Sequence, residues 1–313
     1  MDNFVHIPVL LKEAIDGLDI KSGGTYFDGT LGGGGHSLEI LKKSSPNGKL
    51  VATDLDSYAI EKAKEKLCDY LDRISIVKSN FKNFSDIKND LNIDGFDGVL
   101  LDLGVSSFQL DDRSRGFSYM ADSVKLDMRM SKENPLTAEY IVNEYSEQDI
   151  KYILKEFGEE KFAGVLAKNI VNARKTKKIE TVGELNKIIV ETIPKKCQIN
   201  GHPSKKTFQA LRIEVNSELK GLKQAIIDMV RGLKKGGRIA IITFHSLEDR
   251  IVKQTFKELE MDCICDKSIP VCVCGKKKEI EIITKHPITA TEEELIANAR
   301  AKSAKLRIAE KII

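Results

Sequence analysis

Short apolar runs alternate with stretches of helical periodicity along the first hundred residues. From Pro8 to Leu18 apolar side chains recur every three or four positions, which predicts an amphipathic helix with a proline in its first turn. The apolar runs that follow predict four strands, at Tyr26–Phe27, Lys49–Thr53, Ile74–Val77 and Phe96–Leu101. Alternation of this kind is typical of a parallel sheet covered by helices on both faces.

A long helical segment interrupts this alternation after the fourth strand. Helix signals dominate between residues 111 and 206, and no strand pattern there is convincing. We therefore predict an α/β fold with an inserted all-helical domain. Residues 1–110 and 207–313 are expected to form the sheet domain, and residues 111–206 the insert.

The C-terminal part of the chain supplies the remaining strands. The predicted turn Leu233–Gly237 leads into a fifth strand at Arg238–Thr243. Two short segments with alternating apolar residues follow, at Glu279–Thr284 and Lys305–Lys311. We expect these two segments to pair at one edge of the sheet.

Four consecutive glycines, Gly32 to Gly35, follow the first strand and precede a helix. Glycine lets a ligand lie against the backbone, and the N-terminus of the helix adds positive potential. Asp54 lies 22 residues after Gly32, the distance at which an acid reaches a ribose hydroxyl. Dehydrogenases, flavoproteins and methyltransferases share this pattern. Asp28 favours a methyltransferase, because a carboxylate can neutralise the amino group of S-adenosylmethionine and would repel a pyrophosphate.

Composition is that of a globular protein with its own core. The chain has 313 residues, of which 41% are hydrophobic and 31% are charged. No apolar run approaches the roughly 20 residues of a membrane-spanning helix. The first residues lack the basic start and apolar region of a signal peptide. We therefore expect a cytoplasmic protein with no membrane partner.

The net charge of +3 excludes a polycation, but basic residues are concentrated in one part of the predicted insert. This basic group comprises Arg174, Lys175, Lys177, Lys178, Lys195, Lys196, Lys205 and Lys206. Two interpretations are open, a solvated helix surface and a surface that contacts nucleic acid phosphates.

Four of the six cysteines lie close together near the C-terminus, at Cys263, Cys265, Cys272 and Cys274. In a reducing cytoplasm a disulfide is disfavoured, and four thiolates this close indicate a structural zinc site. Their C-x-C spacing is tighter than the usual C-x-x-C, and a reduced, metal-free loop is the alternative. Cys68 and Cys197 are isolated in the sequence, and we expect them to be ordinary buried or semi-buried thiols.

Ten separate blocks, spread over the whole chain, resemble one known family. They are His6-x-Pro-Val-Leu-Leu-x-Glu13, Asp28-Gly-Thr-x-Gly-x-Gly-Gly-His-Ser37, Leu101-Asp-Leu-Gly-Val-Ser-Ser107, Gln109-Leu-Asp111, Arg115-Gly-Phe-Ser118, Leu126-Asp-Met-Arg-Met130, Thr207-Phe-Gln-Ala210, Val215-Asn-Ser-Glu-Leu219, Phe244-His-Ser-Leu-Glu-Asp-Arg250 and Leu306-Arg-Ile-Ala-Glu310. In these blocks the chain resembles the bacterial 16S rRNA cytosine-N4 methyltransferases (the RsmH/MraW type). Phe108 departs from the family pattern, which has proline there, and this concerns only the local loop.

The resemblance implies a class I, Rossmann-like methyltransferase sheet that binds S-adenosylmethionine, with the helical insert facing the substrate. By position, it implies cofactor contacts from Gly34, Gly35 and His36 at the methionine end, Asp54 at the ribose, Phe81 at the adenine, and Asp102 and Gln109 at the remaining polar groups. It also implies the reaction, N4-methylation of cytosine 1402 (standard numbering) of 16S rRNA in the decoding region of the small ribosomal subunit.

The exocyclic amine of cytosine is a poor nucleophile, because its lone pair is delocalised into the ring. Catalysis then needs positioning and an acceptor for an amine proton. Our candidate acceptor is Asp102, with a backbone carbonyl at Leu103–Gly104 as the alternative. The base must be flipped out or already unpaired to reach it.

Several of these residues also have purely structural interpretations. His36 can serve only to cap its helix, and Phe81 only to fill the core. His245 can be a satisfied loop histidine, with Ser246 as N-cap and Asp249 closing a capping box.

Two other functions share parts of the pattern. An NAD-type oxidoreductase would use the same glycine loop and acid, and a non-catalytic RNA-binding assembly factor could keep the fold. The sequence leaves the oligomeric state open, with a homodimer as one option.

Overall fold

The computed structural model describes residues 8–105, 112–199, 201–266, 271 and 273–313. Within these ranges the chain divides into two compact units. The first unit combines the chain up to Gly104 with the chain from Lys220 onward, and the second is Val105–Leu219.

Seven strands form a single sheet in the described part of the first unit. They are β1 (Thr25–Asp28), β2 (Lys49–Asp54), β3 (Ile74–Lys78), β4 (Phe96–Asp102), β5 (Leu233–Thr243), β6 (Ile280–Ile282) and β7 (Lys305–Lys311). Their order is β3-β2-β1-β4-β5-β7-β6. The first five strands are parallel to one another, and β7 is antiparallel to both β5 and β6. The predicted parallel sheet and the pairing of the last two segments are confirmed.

Twelve α-helices occur in the described residues. They are α1 (Leu11–Gly17), α2 (Gly35–Lys43), α3 (Ser57–Lys66), α4 (Phe84–Asp90), α5 (Ala138–Glu144), α6 (Glu147–Glu156), α7 (Ala163–Thr176), α8 (Val182–Thr192), α9 (Ser204–Asn216), α10 (Leu222–Gly232), α11 (Ser246–Glu260) and α12 (Glu292–Ala297). Short 3₁₀ turns lie at Cys68–Tyr70, Phe81–Asn83, Arg113–Arg115, Lys195–Cys197 and Ala299–Ser303. None of the described helices is both long enough and apolar enough to cross a membrane.

Both faces of the sheet are buried, because successive strand residues point to opposite sides. Phe27 of β1 is fully buried and lies edge-on to Phe84 of α4, with ring centroids 4.9 Å apart. Its neighbour Tyr26 belongs to the apolar cluster on the other face, together with Leu50 and Leu100. Strands buried on both faces explain why the sequence shows near-continuous apolar runs and little alternation.

β5 begins earlier than the sequence predicts. The predicted turn Leu233–Gly237 is part of the strand, and the register with β4 shifts between Phe96 and Gly98. Gly236 has a φ of 78°, which a glycine adopts without strain. A strand irregularity therefore takes the place of the predicted turn.

The second unit is helical and has a core of its own, from α5 to α9. Thr181 and Glu184 form a reciprocal capping box at the start of α8. The unit covers more of the sequence than the predicted insert, residues 111–206. Phe208 and Leu211 of α9, for example, are buried in this core.

Candidate active site

Three acids stand at the carboxyl ends of neighbouring strands. Asp28, Asp54 and Asp102 are the last residues of β1, β2 and β4. Because the three strands are adjacent and parallel, the acids meet at one edge of the sheet. This is the edge at which open α/β sheets bind ligands.

The glycine loop needs its glycines partly for packing. Gly34 has a φ of 73° and precedes α2. A Cβ on Gly34 would lie 3.3 Å from Ala63 and from Leu67, and one on Gly35 would lie 2.2 Å from Cγ of Pro8. The loop is therefore held close to the elements around it, and a larger side chain would displace it.

Asp28 is buried beneath this loop, with 1% of its surface exposed. Its Oδ2 accepts a hydrogen bond from Ser37 Oγ at 2.6 Å, and its Oδ1 accepts one from the Thr30 N–H at 3.0 Å. Burial raises the pKa of Asp28 to about 6. The direct contact with a cofactor amino group that we expected for Asp28 stays a prediction, and in this structure the carboxylate ties the loop residue Thr30 to Ser37 of α2.

Asp54 also holds the loop, but remains partly exposed. Its Oδ2 accepts a hydrogen bond from the Gly32 N–H at 2.8 Å, and its Oδ1 accepts one from the Asp56 N–H at 2.8 Å. Burial raises its pKa. Each carboxylate oxygen has two lone pairs, so that both can still accept a bond from a diol.

His36 lies in the first turn of α2 and is 6% exposed. Its Nε2 is 3.1 Å from the carbonyl oxygen of Val9, and its Nδ1 is 3.8 Å from Oδ2 of Asp102. A carbonyl oxygen only accepts, and we therefore assign a proton to Nε2. The other ring nitrogen then faces the carboxyl of Asp102.

Asp102 has the most perturbed environment among these acids. Its Oδ1 is buried and has no hydrogen-bond partner among the described residues, although its backbone N–H donates to Thr30 Oγ1 at 2.6 Å. Burial, followed by the negative charges of Asp28 and Glu248, raises the pKa of Asp102 to about 8. A carboxyl with a raised pKa and a buried oxygen that has no hydrogen-bond partner is typical of a functional site.

Phe81 follows β3 and begins a 3₁₀ turn, in which Asn80 Oδ1 accepts from the Lys82 N–H at 3.0 Å. Its side chain is partly buried and packs against the apolar core under the sheet. A Cβ on Gly29 would lie 2.9 Å from Cβ of Phe81. This position is compatible with both interpretations made from the sequence, a core residue and a platform for adenine.

Gln109, the remaining predicted cofactor contact, lies outside the described residues. Of the alternative proton acceptors, Leu103 is buried and donates its N–H to the carbonyl of Ile242 at 2.9 Å. Gly104 has a φ of 104°.

His245 and Glu248 add a second buried pair. Nε2 of His245 is 3.2 Å from Oε1 of Glu248, whose Oε2 accepts the N–H of Phe244 at 2.9 Å. The predicted cap is wrong by one residue: His245 is the N-cap of α11, and Glu248 closes the capping box. Asp249, which we expected in that role, is instead paired with Arg307.

Sequence reasoning missed Glu248 as a contributor to the site. The negative charge of Glu248 is the smallest of the three causes that raise the pKa of Asp102. Glu248 belongs to the block Phe244-His-Ser-Leu-Glu-Asp-Arg250, and this is the one feature of the sequence that points to a role for it.

Three cysteines of the predicted zinc set come together in a separate segment between α11 and β6. The sulfur atoms of Cys263, Cys265 and Cys274 all lie within 4.8 Å of one another. Cys272 lies outside the described residues.

Strand order and site together define the class of the protein. The sheet order β3-β2-β1-β4-β5-β7-β6, with a glycine loop after β1 and acids at the strand ends, is that of a Rossmann-like class I methyltransferase. The chain belongs to the MraW methylase family, whose model matches residues 3–312.

Named relatives match along their whole length. A "Ribosomal RNA small subunit methyltransferase H" of Clostridium botulinum (strain Kyoto / Type A2) is 56% identical over 309 residues, 99% of each chain. One of the same name from Brevibacillus brevis is 50% identical over 311 residues, again 99% of each chain. A solved structure of an rRNA methylase from Streptococcus thermophilus is 10% identical, covers 99% of this chain and 100% of that chain, and has a TM-score of 0.43. The class assignment rests on strand order and family, not on that distant likeness.

Proposed function

We propose that this protein transfers a methyl group from S-adenosylmethionine to N4 of a cytosine in small-subunit ribosomal RNA, cytosine 1402 in standard 16S numbering. The names of the relatives support the small-subunit RNA as substrate. The chemical role rests on the carboxyl of Asp102, which lies at a strand end beside the glycine loop and whose buried Oδ1 has no hydrogen-bond partner among the described residues.

The described residues fit this cofactor. S-adenosylmethionine supplies, when bound, an electrophilic methyl group on a positively charged sulfur. Asp54 and, when it is ionised, Asp102 can match that positive charge from the strand ends. We assign the methionine end to Gly34, Gly35 and His36, the ribose to Asp54, and the adenine to Phe81. Gln109 stays a prediction for a further polar contact.

Asp102 is our candidate for the group that removes the amine proton. When N4 forms its new bond to carbon, it must lose one proton to regain a neutral amine. An ionised Asp102 can accept that proton, and its pKa of about 8 makes it a stronger base than an ordinary carboxylate. His36 Nδ1, 3.8 Å from Oδ2 of Asp102, can hold the carboxyl in orientation. A carbonyl at Leu103–Gly104 remains the alternative acceptor.

We propose that the helical insert contacts the RNA through part of its basic group. Lys177 and Lys178 already have carboxylate partners, Glu184 and Glu139. Lys195, Lys196 and Lys205 are exposed and form no ion pair within the described residues. These three lysines remain available to phosphates, so that they are the expected RNA contacts.

The substrate we propose is the assembled or late-assembling small subunit in the cytoplasm. A protein with a net charge of only +3 and a local basic surface suits a structured target better than indiscriminate RNA binding.

A gene deletion tests the proposed function in the cell. Nucleosides from 16S rRNA of the deletion strain are analysed by mass spectrometry, with a complemented strain as control. We expect N4-methylcytidine at the proposed position to disappear in the deletion and to return on complementation. Its persistence at full level in the deletion strain would contradict the proposal.

A binding measurement separates this function from its rivals. S-adenosylhomocysteine should raise the melting temperature, and NADH should not. Stabilisation by NADH alone would indicate an oxidoreductase. A protein that binds small subunits but transfers no methyl group would be an assembly factor.

A further inference from the structure

The sulfur atoms of Cys263, Cys265 and Cys274 are arranged as metal ligands are. Sγ of Cys263 and Sγ of Cys274 are 3.9 Å apart. This is about twice the ~2.05 Å of a disulfide bond. Two thiolates bound to one tetrahedral zinc ion, each at ~2.3 Å, lie roughly 3.8 Å apart. The observed separation therefore matches shared coordination rather than a bond between the two sulfurs.

Backbone N–H groups point at all three sulfur atoms. The N–H of Ile264 donates to Cys274 at 3.4 Å, the N–H of Cys265 to Cys263 at 3.3 Å, and the N–H of Val273 to Cys265 at 3.4 Å. In metal sites, outer contacts of this kind orient the ligands.

Among the described residues between 261 and 279, not one is buried. Ile264, Val271 and Val273 are 64%, 70% and 78% exposed. Short segments that cannot bury apolar surface commonly depend on a metal or a disulfide for their structure.

Four cations and one carboxylate line the surface recess that contains Cys274: Arg231, Lys276, Lys277, Lys311 and Glu279, which pairs with Arg231 and Lys276. The net positive charge of this lining offsets the negative charge that a zinc ion with three thiolates carries. Thiolate ligands in tetrahedral spacing are typical of zinc and of iron–sulfur centres, and zinc suits a purely structural role.

We propose that Cys263, Cys265 and Cys274 bind one zinc ion as thiolates, and that this ion joins residues 263–265 to residues 273–274. Cys272 completes the sequence pattern but lies outside the described residues. The zinc site does not depend on the proposed methyl transfer, because no residue of the candidate active site takes part in it.

Metal analysis of the full-length protein tests this site. The protein is purified without a histidine tag, incubated with zinc, dialysed, and analysed by mass spectrometry of the metal. We expect about one zinc ion per chain. Replacement by cobalt should give the absorption of thiolate-to-cobalt charge transfer, which oxygen or nitrogen ligands do not produce.

Single substitutions identify the ligands. Cys263→Ser and Cys274→Ser should lower zinc affinity at least about tenfold. Cys68→Ser and Cys197→Ser are matched controls, because both residues are exposed cysteines elsewhere in the chain, and they should retain the metal. Removing zinc with a chelator should speed tryptic cleavage at Lys276, Lys277 and Lys278 in the parent protein.

Two results would overturn the proposal. One is a parent protein that keeps no zinc after dialysis. The other is a Cys263→Ser variant that binds zinc as tightly as the parent. The first result is measured on the unsubstituted chain, so it can refute the proposal even if a variant fails to fold.

Discussion

Nδ1 of His36 lies 3.8 Å from Oδ2 of Asp102, and this pair joins the start of α2 to the end of β4. The histidine is fixed from its other side by the carbonyl of Val9, 3.1 Å from Nε2. The carboxyl is thus held beside a positioned imidazole in a site whose burial raises the pKa of Asp102 to about 8. The protonation state of Asp102 should therefore change when a charged ligand binds at this site.

The affinity for S-adenosylmethionine should rise with pH. Below pH 8 Asp102 is mostly neutral, and above it the carboxylate attracts the positive cofactor. Affinity should therefore increase from pH 6.5 to 8.5, by at most about tenfold per pH unit for one coupled proton. Calorimetry of cofactor binding, carried out in buffers of different ionisation enthalpy, measures how many protons are released on binding. S-adenosylhomocysteine, which lacks the sulfonium charge, is the matched control and should show a weaker dependence. Equal pH profiles for both ligands would contradict this coupling.

Asp102→Asn should change stability in a pH-dependent way. The folded state of the parent holds a proton on Asp102 up to about pH 8, whereas the unfolded chain loses it near the ordinary value. Ionisation thus destabilises the parent as pH rises through that window. The variant should melt at a higher temperature than the parent at pH 8, with little difference at pH 4. A constant difference in melting temperature at both pH values would argue against a raised pKa.

Gly35→Ala should destabilise the protein. The added Cβ would lie 2.2 Å from Cγ of Pro8, so that the loop or the proline must move. We expect a loss of about 1–3 kcal/mol in unfolding free energy, and weaker cofactor binding. Gly164→Ala is the matched control within α7, where the nearest atom is Cε of Lys151 at 3.7 Å. It should stabilise by roughly 0.5–1 kcal/mol. Chemical denaturation measures both, and equal effects would refute the packing argument.

Asp249→Ala should be strongly destabilising, because Arg307 is only 7% exposed and would lose this partner. The Arg307 Nε lies 2.6 Å from Asp249 Oδ1. Burial alone would raise the pKa of Asp249, but the bonds and charges of Arg307 and Lys305 bring it below its usual value. Breaking such a pair from one side costs about 3–5 kcal/mol. Glu65→Ala, which removes the exposed partner of Lys62, should cost at most about 0.5 kcal/mol. Similar losses in denaturant titrations would contradict this account.

Two lysines of the insert should matter for RNA, and two others should not. The double substitution of Lys195 and Lys196 by Gln should weaken binding to small subunits and reduce its salt dependence. Each lost phosphate contact lowers the slope of log affinity against log salt by about 0.7–0.9. The control replaces Lys177 and Lys178 by Gln, which removes the same charge from residues that already have carboxylate partners. If the control pair reduces the slope as much, the assignment of Lys195 and Lys196 is wrong.

The sequence was sufficient for the parts of the site that depend on local pattern. Apolar runs located the strands, and the acids that follow them, Asp28, Asp54 and Asp102, lie at the strand ends. The glycine loop was also predictable from the sequence, because its conformation depends on residues next to one another.

Contacts between distant segments were not predictable. Arg307 pairs with Asp249, which lies 58 positions earlier in the chain. Glu248, and not Asp249, therefore closes the capping box. The buried role of Asp28 depends on Ser37 turning toward it, and the raised pKa of Asp102 depends on how deeply β4 is covered. Burial and tertiary partners of this kind have no local signature in a single sequence.

Methyl transfer to unmodified small subunits tests the central claim most directly. Subunits from a deletion strain are incubated with S-adenosylmethionine and either the parent protein or Asp102→Asn, and the RNA nucleosides are identified by mass spectrometry. The account predicts N4-methylcytidine at one cytosine with the parent protein. It also predicts a turnover about 10²–10⁴-fold lower with Asp102→Asn. S-adenosylhomocysteine binding by the variant verifies that its site is intact. A parent protein that forms no N4-methylcytidine, or a variant that forms it at the full rate, would contradict the account.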